Sequence, residues 1–85
     1  MSGIEASAEG AKGHLVSRSG EDLILHLDQA FPPGRPLTVR VGDLRLDTKS
    51  YGSRKRGEVF VVKVRLRSIP RAARTALDNL DLPPT

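Results

Sequence analysis

Short alternations of apolar and polar residues predict β-strands in the middle of this chain. Every second residue is leucine from Leu23 to Leu27, and every second residue is leucine or valine from Leu37 to Val41. A period of two is typical of a strand with one buried face. A further short strand is predicted over Leu44–Asp47. The strongest strand covers residues 59–67, where the apolar side chains of one face are Phe60, Val62, Val64 and Leu66.

The segments between these strands carry residues that favour turns and loops. Phe31–Gly34 contains two prolines and a glycine, which favour a turn and remove donors from a strand ladder. Gly42–Asp43 predicts a tight turn between two strands. Residues 49–57 are mostly polar and contain two glycines, so we expect a polar loop there.

The start of the chain differs in composition from the rest. Residues 1–12 are small and polar, and Ile4 is their only large apolar residue after Met1. Such a segment buries too little surface to offset the entropy lost on ordering. We therefore expect a flexible tail over residues 1–12 and a single folded domain over residues 13–82.

The hydrophobic period changes from 2 to about 3.6 near Pro70, which predicts a helix. Proline suits the first turn of a helix, and Ser68 or Ile69 would then be the cap. A helix this short needs an apolar surface to cover, such as the open end of a barrel. Five or six short strands in about sixty residues favour a small antiparallel barrel or sandwich. The apolar stripe of the predicted helix contains Ile69, Ala73, Ala76, Leu77 and Leu80.

Positive charge is concentrated in the second half of the chain. The net charge is +4, but residues 49–74 hold nine basic residues and one acid, Glu58, a local charge of +8. The rest of the chain has five basic and nine acidic residues, a charge of −4. This asymmetry favours an anionic partner, such as a nucleotide phosphate, a nucleic acid or an acidic protein surface. The alternative is a solvated surface of strands and helix that contacts no partner.

Several classes of function lack the residues they require. There are no cysteines, which excludes disulfides and thiol chemistry and agrees with a cytoplasmic location. No apolar run reaches the roughly 18–20 residues that span a bilayer, so we expect no membrane insertion. His14 and His26 lack the i, i+4 spacing of a metal-binding helix. Without a nucleophile elbow, a phosphate-binding glycine loop or a metal-ligand set, we expect neither an enzyme nor a cofactor.

A nucleic-acid interface is a further possibility to consider. Arg54, Lys55 and Arg56 lie in the predicted polar loop, and the adjoining strand adds three more basic residues, Lys63, Arg65 and Arg67. Base stacking needs exposed aromatic rings. Only Tyr51 is well placed for it, because Phe60 is in phase with the core and Phe31 precedes the proline turn. This composition indicates electrostatic binding without sequence-specific readout.

The order of these elements resembles the PilZ domain over roughly Gly13 to Leu80. Gly13–Val16 matches the strand before the family's [Asp/Asn]-x-Ser-x-x-Gly motif, and the motif positions hold Ser17, Ser19 and Asp22. An apolar strand follows, and Leu66–Pro70 has the Leu-x-x-Ile-Pro pattern before the last helix. The resemblance implies a mainly β fold: a small six-stranded antiparallel barrel with a C-terminal α-helix. Many members of this family sense cyclic di-GMP.

The ligand motif of that family is degenerate in this chain. Ser19 keeps the central serine, whereas Ser17 replaces the residue that meets the guanine edge. Asp22 replaces a glycine and adds negative charge where a dianionic ligand would approach. The family's Arg-x-x-x-Arg segment has no counterpart, because no arginine precedes Arg18.

The resemblance therefore implies a regulatory adaptor in bacterial signalling that acts through a protein partner and binds no cyclic di-GMP by the consensus mode. One alternative is a receptor with a relocated grip, in which Arg18, Tyr51, Arg54, Lys55 and Arg56 bind the nucleotide. A second alternative is a basic barrel that binds nucleic acid.

Overall fold

The structure, a computed structural model, describes residues 3–83 and consists of six strands followed by one helix. All neighbouring strands are antiparallel, and they close into a barrel in the order β1-β2-β3-β6-β5-β4. The predicted antiparallel six-stranded barrel with a C-terminal helix is confirmed. The elements are β1 (Ile4–Ala8), β2 (Ala11–Ser19), β3 (Asp22–Leu27), β4 (Pro36–Val41), β5 (Leu44–Arg56), β6 (Val59–Leu66) and α1 (Arg71–Asp78).

Three of the four hairpins share one turn sequence, a glycine followed by an acidic residue. Gly20, Gly42 and Gly57 each have a positive φ, at 62°, 60° and 66°. Two-residue hairpin loops need this conformation at their first position, because it matches the twist of the flanking strands. The predicted turn at Gly42 is thus confirmed, and the same sequence closes the hairpins β2–β3 and β5–β6.

The barrel interior is filled by aliphatic side chains. The inward positions of β3 are its three leucines, and the inward positions of β6 include Val62 and Val64, all fully buried. In a six-stranded barrel of this size, inward side chains leave a packed core rather than a channel. The remaining fully buried large residues are Leu15, Val39, Leu46 and Leu77.

Two segments outside the strands close the two ends of the barrel. The loop of residues 28–35 carries the chain from β3 to β4, which lie on opposite sides of the ring, and places Phe31 in the core. At the other end, Leu77 of α1 is 1% exposed and packs against the same core. The helix therefore covers the barrel end, as predicted. No helix within residues 3–83 has the length and apolar character to cross a membrane.

The expected flexible tail is wrong over the part of it that the structure describes. Residues 4–8 form β1 and pair with β2 through five residues, while Met1 and Ser2 lie outside the described residues. Ala6, Ala8 and Ala11 are nearly fully buried. Small side chains fit an interior that leucines already fill, and backbone pairing supplies the remaining stabilisation. A search for large apolar residues does not detect such a strand.

The polar loop predicted over residues 49–57 is also wrong. These residues continue β5 as far as Arg56, and residues 48–56 pair with β6. The outer face of the strand is solvated, which explains its polarity. Its inner face carries buried hydroxyls: Thr48 Oγ1 donates to the carbonyl oxygen of Leu37 at 3.0 Å. Hairpin pairing, rather than composition, determines the length of this strand.

The helix differs in detail from the prediction. It begins at Arg71, and Pro70 is the cap residue instead of Ser68 or Ile69. Of the predicted apolar stripe, Leu77 is buried and Ile69, Ala73 and Leu80 pack partly on the core, but Ala76 is exposed.

The ring is closed unequally around its circumference. β1 and β4 pair through two residue pairs only, Ser7 with Arg40 and Ala8 with Val39. By contrast, β3 and β6 pair through six. The β1–β4 seam is therefore the shortest ladder in the barrel.

Gly13 of β2 lies where a side chain has no room, and we expect Gly13→Ala to destabilise the barrel. A Cβ at this position would lie 1.8 Å from the carbonyl oxygen of His26 and 2.9 Å from Cα of Leu27. Relieving this overlap requires a shift of β2 from β3, at about 1–3 kcal/mol or more. Urea denaturation measures the change. The neighbouring variant Lys12→Ala should be close to neutral, since Lys12 is exposed and its hydrogen bond to Asp28 uses the backbone N–H. Equal stability of the two variants would contradict the close approach.

Candidate functional site

The three degenerate motif residues lie at the β2–β3 hairpin. Ser19 pairs with Asp22 across the turn, and Ser17 pairs with Ile24 after a bulge in β2. Ser19 is exposed, whereas Ser17 and Asp22 are half-buried. One carboxylate oxygen of Asp22 is buried and lacks a hydrogen-bond partner within residues 3–83, although Arg65 is opposite it on β6. The motif positions therefore build a structural turn with a negative charge at its base.

Two ion pairs join this hairpin to α1, and we call them the hairpin–helix clasp. Arg18 pairs with Asp78, and its Nε donates to the carbonyl oxygen of Gly20 at 2.9 Å. Arg74 binds Glu21 with both guanidinium ends, at 2.6 and 3.2 Å. The fork of an arginine matches a carboxylate in this bidentate arrangement. Arg18, which was predicted to bind a nucleotide, is therefore engaged in joining β2 to α1.

Electrostatics within the clasp follow from this geometry. The hydrogen bond from Arg74 lowers the pKa of Glu21 below its ordinary value, and the positive charges of Arg74, Arg18 and Arg65 lower it further. The same hydrogen bond raises the pKa of Arg74. Both groups are charged at neutral pH, so the ion pair persists across the physiological range.

A bulge in β5 turns the barrel's most exposed large hydrophobic side chain outward. The pairing with β6 shifts between Ser50 and Gly52, which leaves Tyr51 as the extra residue. The N–H of Gly52 donates to Ser50 Oγ at 3.1 Å, and Gly52 has a φ of 132° that favours glycine. Tyr51 is 47% exposed as a result. Arg65 makes a long hydrogen bond of 3.4 Å to its hydroxyl.

Tyr51 borders an open groove of about 440 Å³ on the outside of the barrel. Arg54 and Arg56 of β5 and Lys63 of β6 line the groove beside it, and Ile24 and Val61 supply apolar surface. The hydrogen bond to Tyr51 and the charge of Asp22 both raise the pKa of Arg65, which therefore remains charged at the border. We define the β5–β6 basic face as Tyr51, Arg54, Arg56, Lys63 and Arg65.

The structure brings together only part of the predicted nucleotide grip. Tyr51, Arg54 and Arg56 share the groove. Lys55 pairs with Phe60, whose side chain packs on the core, so Lys55 belongs to the alternate phase of β5. Arg18 lies on β2, three strands around the ring from β5, and is paired with Asp78. The relocated grip as predicted is therefore incomplete.

Sequence reasoning missed the apolar part of this groove. Ile24 of β3 and Val61 of β6 alternate with buried residues and face outward, where Ile24 lies opposite Lys63 and Val61 lies two residues from Lys63 on the same strand. The alternation along each strand predicts that both side chains face outward. That they lie together on one surface depends on the register between β3 and β6, which the sequence pattern does not give. Within residues 3–83, no group of three or more histidine, aspartate or glutamate side chains is arranged to hold a metal ion.

Comparisons with protein-family models, with curated proteins and with solved structures find no match to this chain. The resemblance to the PilZ domain therefore stays a prediction from residue order, while the barrel and helix that it implies are present.

We expect acid to weaken the clasp, because protonation of Glu21 removes the charge that pairs with Arg74. Because the folded-state pKa of Glu21 is depressed, its stabilisation is present above the ordinary glutamate pKa of about 4.3 and is lost as pH falls through the lower value. The free energy of unfolding should therefore fall more steeply with acid in the unmodified chain than in Glu21→Gln. Urea denaturation between pH 7 and pH 3 measures both slopes.

A matched control for this experiment is Glu58→Gln. Glu58 follows Gly57 in the β5–β6 turn as Glu21 follows Gly20, but it has no ion pair within the described residues. Its substitution should leave the pH profile unchanged. If Glu21→Gln instead runs parallel to the unmodified chain, the Glu21–Arg74 ion pair contributes nothing to stability.

Proposed function

We propose that this chain is an adaptor module that binds an acidic segment of a protein partner on the β5–β6 basic face. The observation that carries the proposal is the convergence of Tyr51, Arg54, Arg56 and Lys63 around a partly apolar groove. The adaptor role in bacterial signalling is what the resemblance to the PilZ domain implies.

The composition of the face supports a protein partner. Tyrosine and arginine are enriched among residues that dominate protein–protein binding energy. Here one exposed tyrosine lies beside three arginines, and Ile24 and Val61 add apolar surface that a peptide side chain can cover. Of the groove-lining residues, none is acidic. An acidic peptide would therefore gain both apolar contact and electrostatic attraction.

The condition of the degenerate motif supports the same proposal. A nucleotide at the β2–β3 hairpin would have to compete with Asp78 for Arg18 and would meet the carboxylate of Asp22. Each of these terms costs binding free energy. The partner is therefore expected on the other surface, where the arginines have no carboxylate ligand among the described residues.

Crosslinking in cells can identify the partner. A photoreactive residue at Val59, which pairs with Arg56 across the hairpin, should crosslink the partner, which mass spectrometry then identifies.

Charge reversal tests the β5–β6 basic face. With the purified partner, Arg54→Glu/Arg56→Glu should weaken binding by about tenfold or more, because like charges then face each other. Arg45→Glu/Arg71→Glu makes the same change of net charge at exposed positions outside the face and should bind as the unmodified chain does. If both double variants lose the same affinity for the partner, binding depends only on net charge and the proposal is contradicted.

A nucleotide ligand is the second candidate, and one observation favours it: Tyr51 is exposed beside Arg54, where a base can stack and a phosphate can bind. Isothermal titration calorimetry with cyclic di-GMP at low and moderate salt decides between the candidates. The adaptor proposal expects no heat. Micromolar binding at both salts, lost in Arg54→Ala/Lys55→Ala/Arg56→Ala, would establish a noncanonical receptor in its place.

The same face could also bind nucleic acid, and salt dependence separates that outcome. Affinity for a short oligonucleotide would fall steeply with salt, with a logarithmic slope of about −0.7 to −0.9 per phosphate contact. An affinity that is weak at every salt concentration leaves the acidic protein segment as the expected partner.

A further inference from the structure

The two histidines of the chain, which are twelve residues apart in sequence, lie directly opposite each other in the folded barrel. His14 of β2 pairs with His26 of β3. Both alternate with fully buried leucines, Leu15 and Leu25, so both imidazoles are on the outer face of the wall. Neither belongs to the β5–β6 basic face.

Backbone geometry fixes the separation of the two side chains. The carbonyl oxygen of Lys12 accepts from the N–H of Asp28 at 3.0 Å, two residues before His14 on β2 and two residues after His26. In an antiparallel ladder such pairs recur every two residues, so His14 and His26 form a hydrogen-bonded pair with Cα atoms about 5.5 Å apart. Their Cβ atoms are then about 4.5–5.5 Å apart on one face. At this spacing, two imidazole nitrogens can both approach one metal ion at about 2.0–2.1 Å.

We propose that His14 and His26 form a surface site for one divalent transition-metal ion, with Cu²⁺ bound most tightly and Ni²⁺ and Zn²⁺ less so. Imidazole suits these three metals, and affinity at a nitrogen site rises to Cu²⁺ and falls again at Zn²⁺. Two ligands come from the protein and water completes the coordination sphere. The site therefore does not require the group of three ligands that residues 3–83 lack.

The charges around the pair balance. Glu5 of β1 is opposite His14 on the side away from His26, and Asp28 directly follows the end of β3. Lys12, which precedes His14 by two residues on β2, and Arg40 of β4 line one groove with Glu5 and His14, while Val61 is opposite His26 on β6. Two carboxylates face two cations, so the metal-binding groups of the site are the imidazoles themselves.

A metal ion at this position would join two strands of the barrel wall. Both strands are held in register by the ladder before the ion arrives, so the second imidazole binds as an intramolecular ligand. The unfolded chain offers the same two imidazoles without this register. Metal binding should therefore favour the folded state and raise its melting temperature.

Electron paramagnetic resonance of the unmodified chain with one equivalent of Cu²⁺ tests the proposal directly. Two equatorial imidazoles give a nitrogen hyperfine pattern that differs from the pattern of one. We expect the two-imidazole pattern, together with a Zn²⁺-dependent rise in melting temperature. A one-imidazole spectrum in the unmodified chain would overturn the proposal without recourse to any variant.

Variants provide a second, independent readout. His14→Ala and His26→Ala should each lower the affinity for Cu²⁺ by roughly 10²-fold, because the intramolecular ligand is lost. The double variant Ile24→His/His26→Ile keeps the histidine count but places the second imidazole opposite Ser17 instead of His14. It should bind as weakly as the single variants, with far-UV circular dichroism confirming its fold. Binding equal to that of the unmodified chain in any of the three would contradict the cross-strand pair.

Discussion

Closure of the antiparallel ring is the constraint on which the other features depend. A closed barrel of this size has a single interior, and the inward side chains of all six strands must fill it at the density of a protein core. Because β5 pairs with β4 at its beginning and with β6 over the rest, it must bend between the two neighbours. The bulge between Ser50 and Gly52 provides the bend, and Tyr51 is the residue that it turns outward. The exposed position of Tyr51 thus follows from the geometry of closure.

Two groups of basic residues have different surroundings. Arg18 and Arg74 are held by carboxylates between the β2–β3 hairpin and α1, where they fix the helix over the barrel end. Arg54 and Arg56 extend from the outer face of β5 beside Lys63, in a groove without acidic lining. A charge count along the sequence adds these groups together. The structure separates them into one group that is bound by carboxylates and one that lines an open groove.

Strand periodicity was sufficient to place β3, β4 and β6, and the change of period located α1, because in these elements the buried residues are large and regularly spaced. It failed for β1, whose buried residues are alanines, and for the part of β5 after Asp47, whose buried residues are Thr48 and Ser50. Periodicity does not predict contacts between residues that are distant in sequence. Glu21 meets Arg74 across 53 positions, and the pairing of His14 with His26 depends on the register of a hairpin that contains a bulge. Register is set by turns and by packing together, so single residues do not reveal it.

The ladder between β1 and β4 has only two residue pairs, so it is the place where the ring would open first. If these strands separated, β1 would remain paired with β2 through five residue pairs, and the ring would become an open sheet with two unpaired edges. Bare edges of this kind pair with strands from other molecules, which is the route to strand exchange and to association at high concentration. The β1–β4 seam is therefore the position at which strand exchange between two copies of the protein would begin.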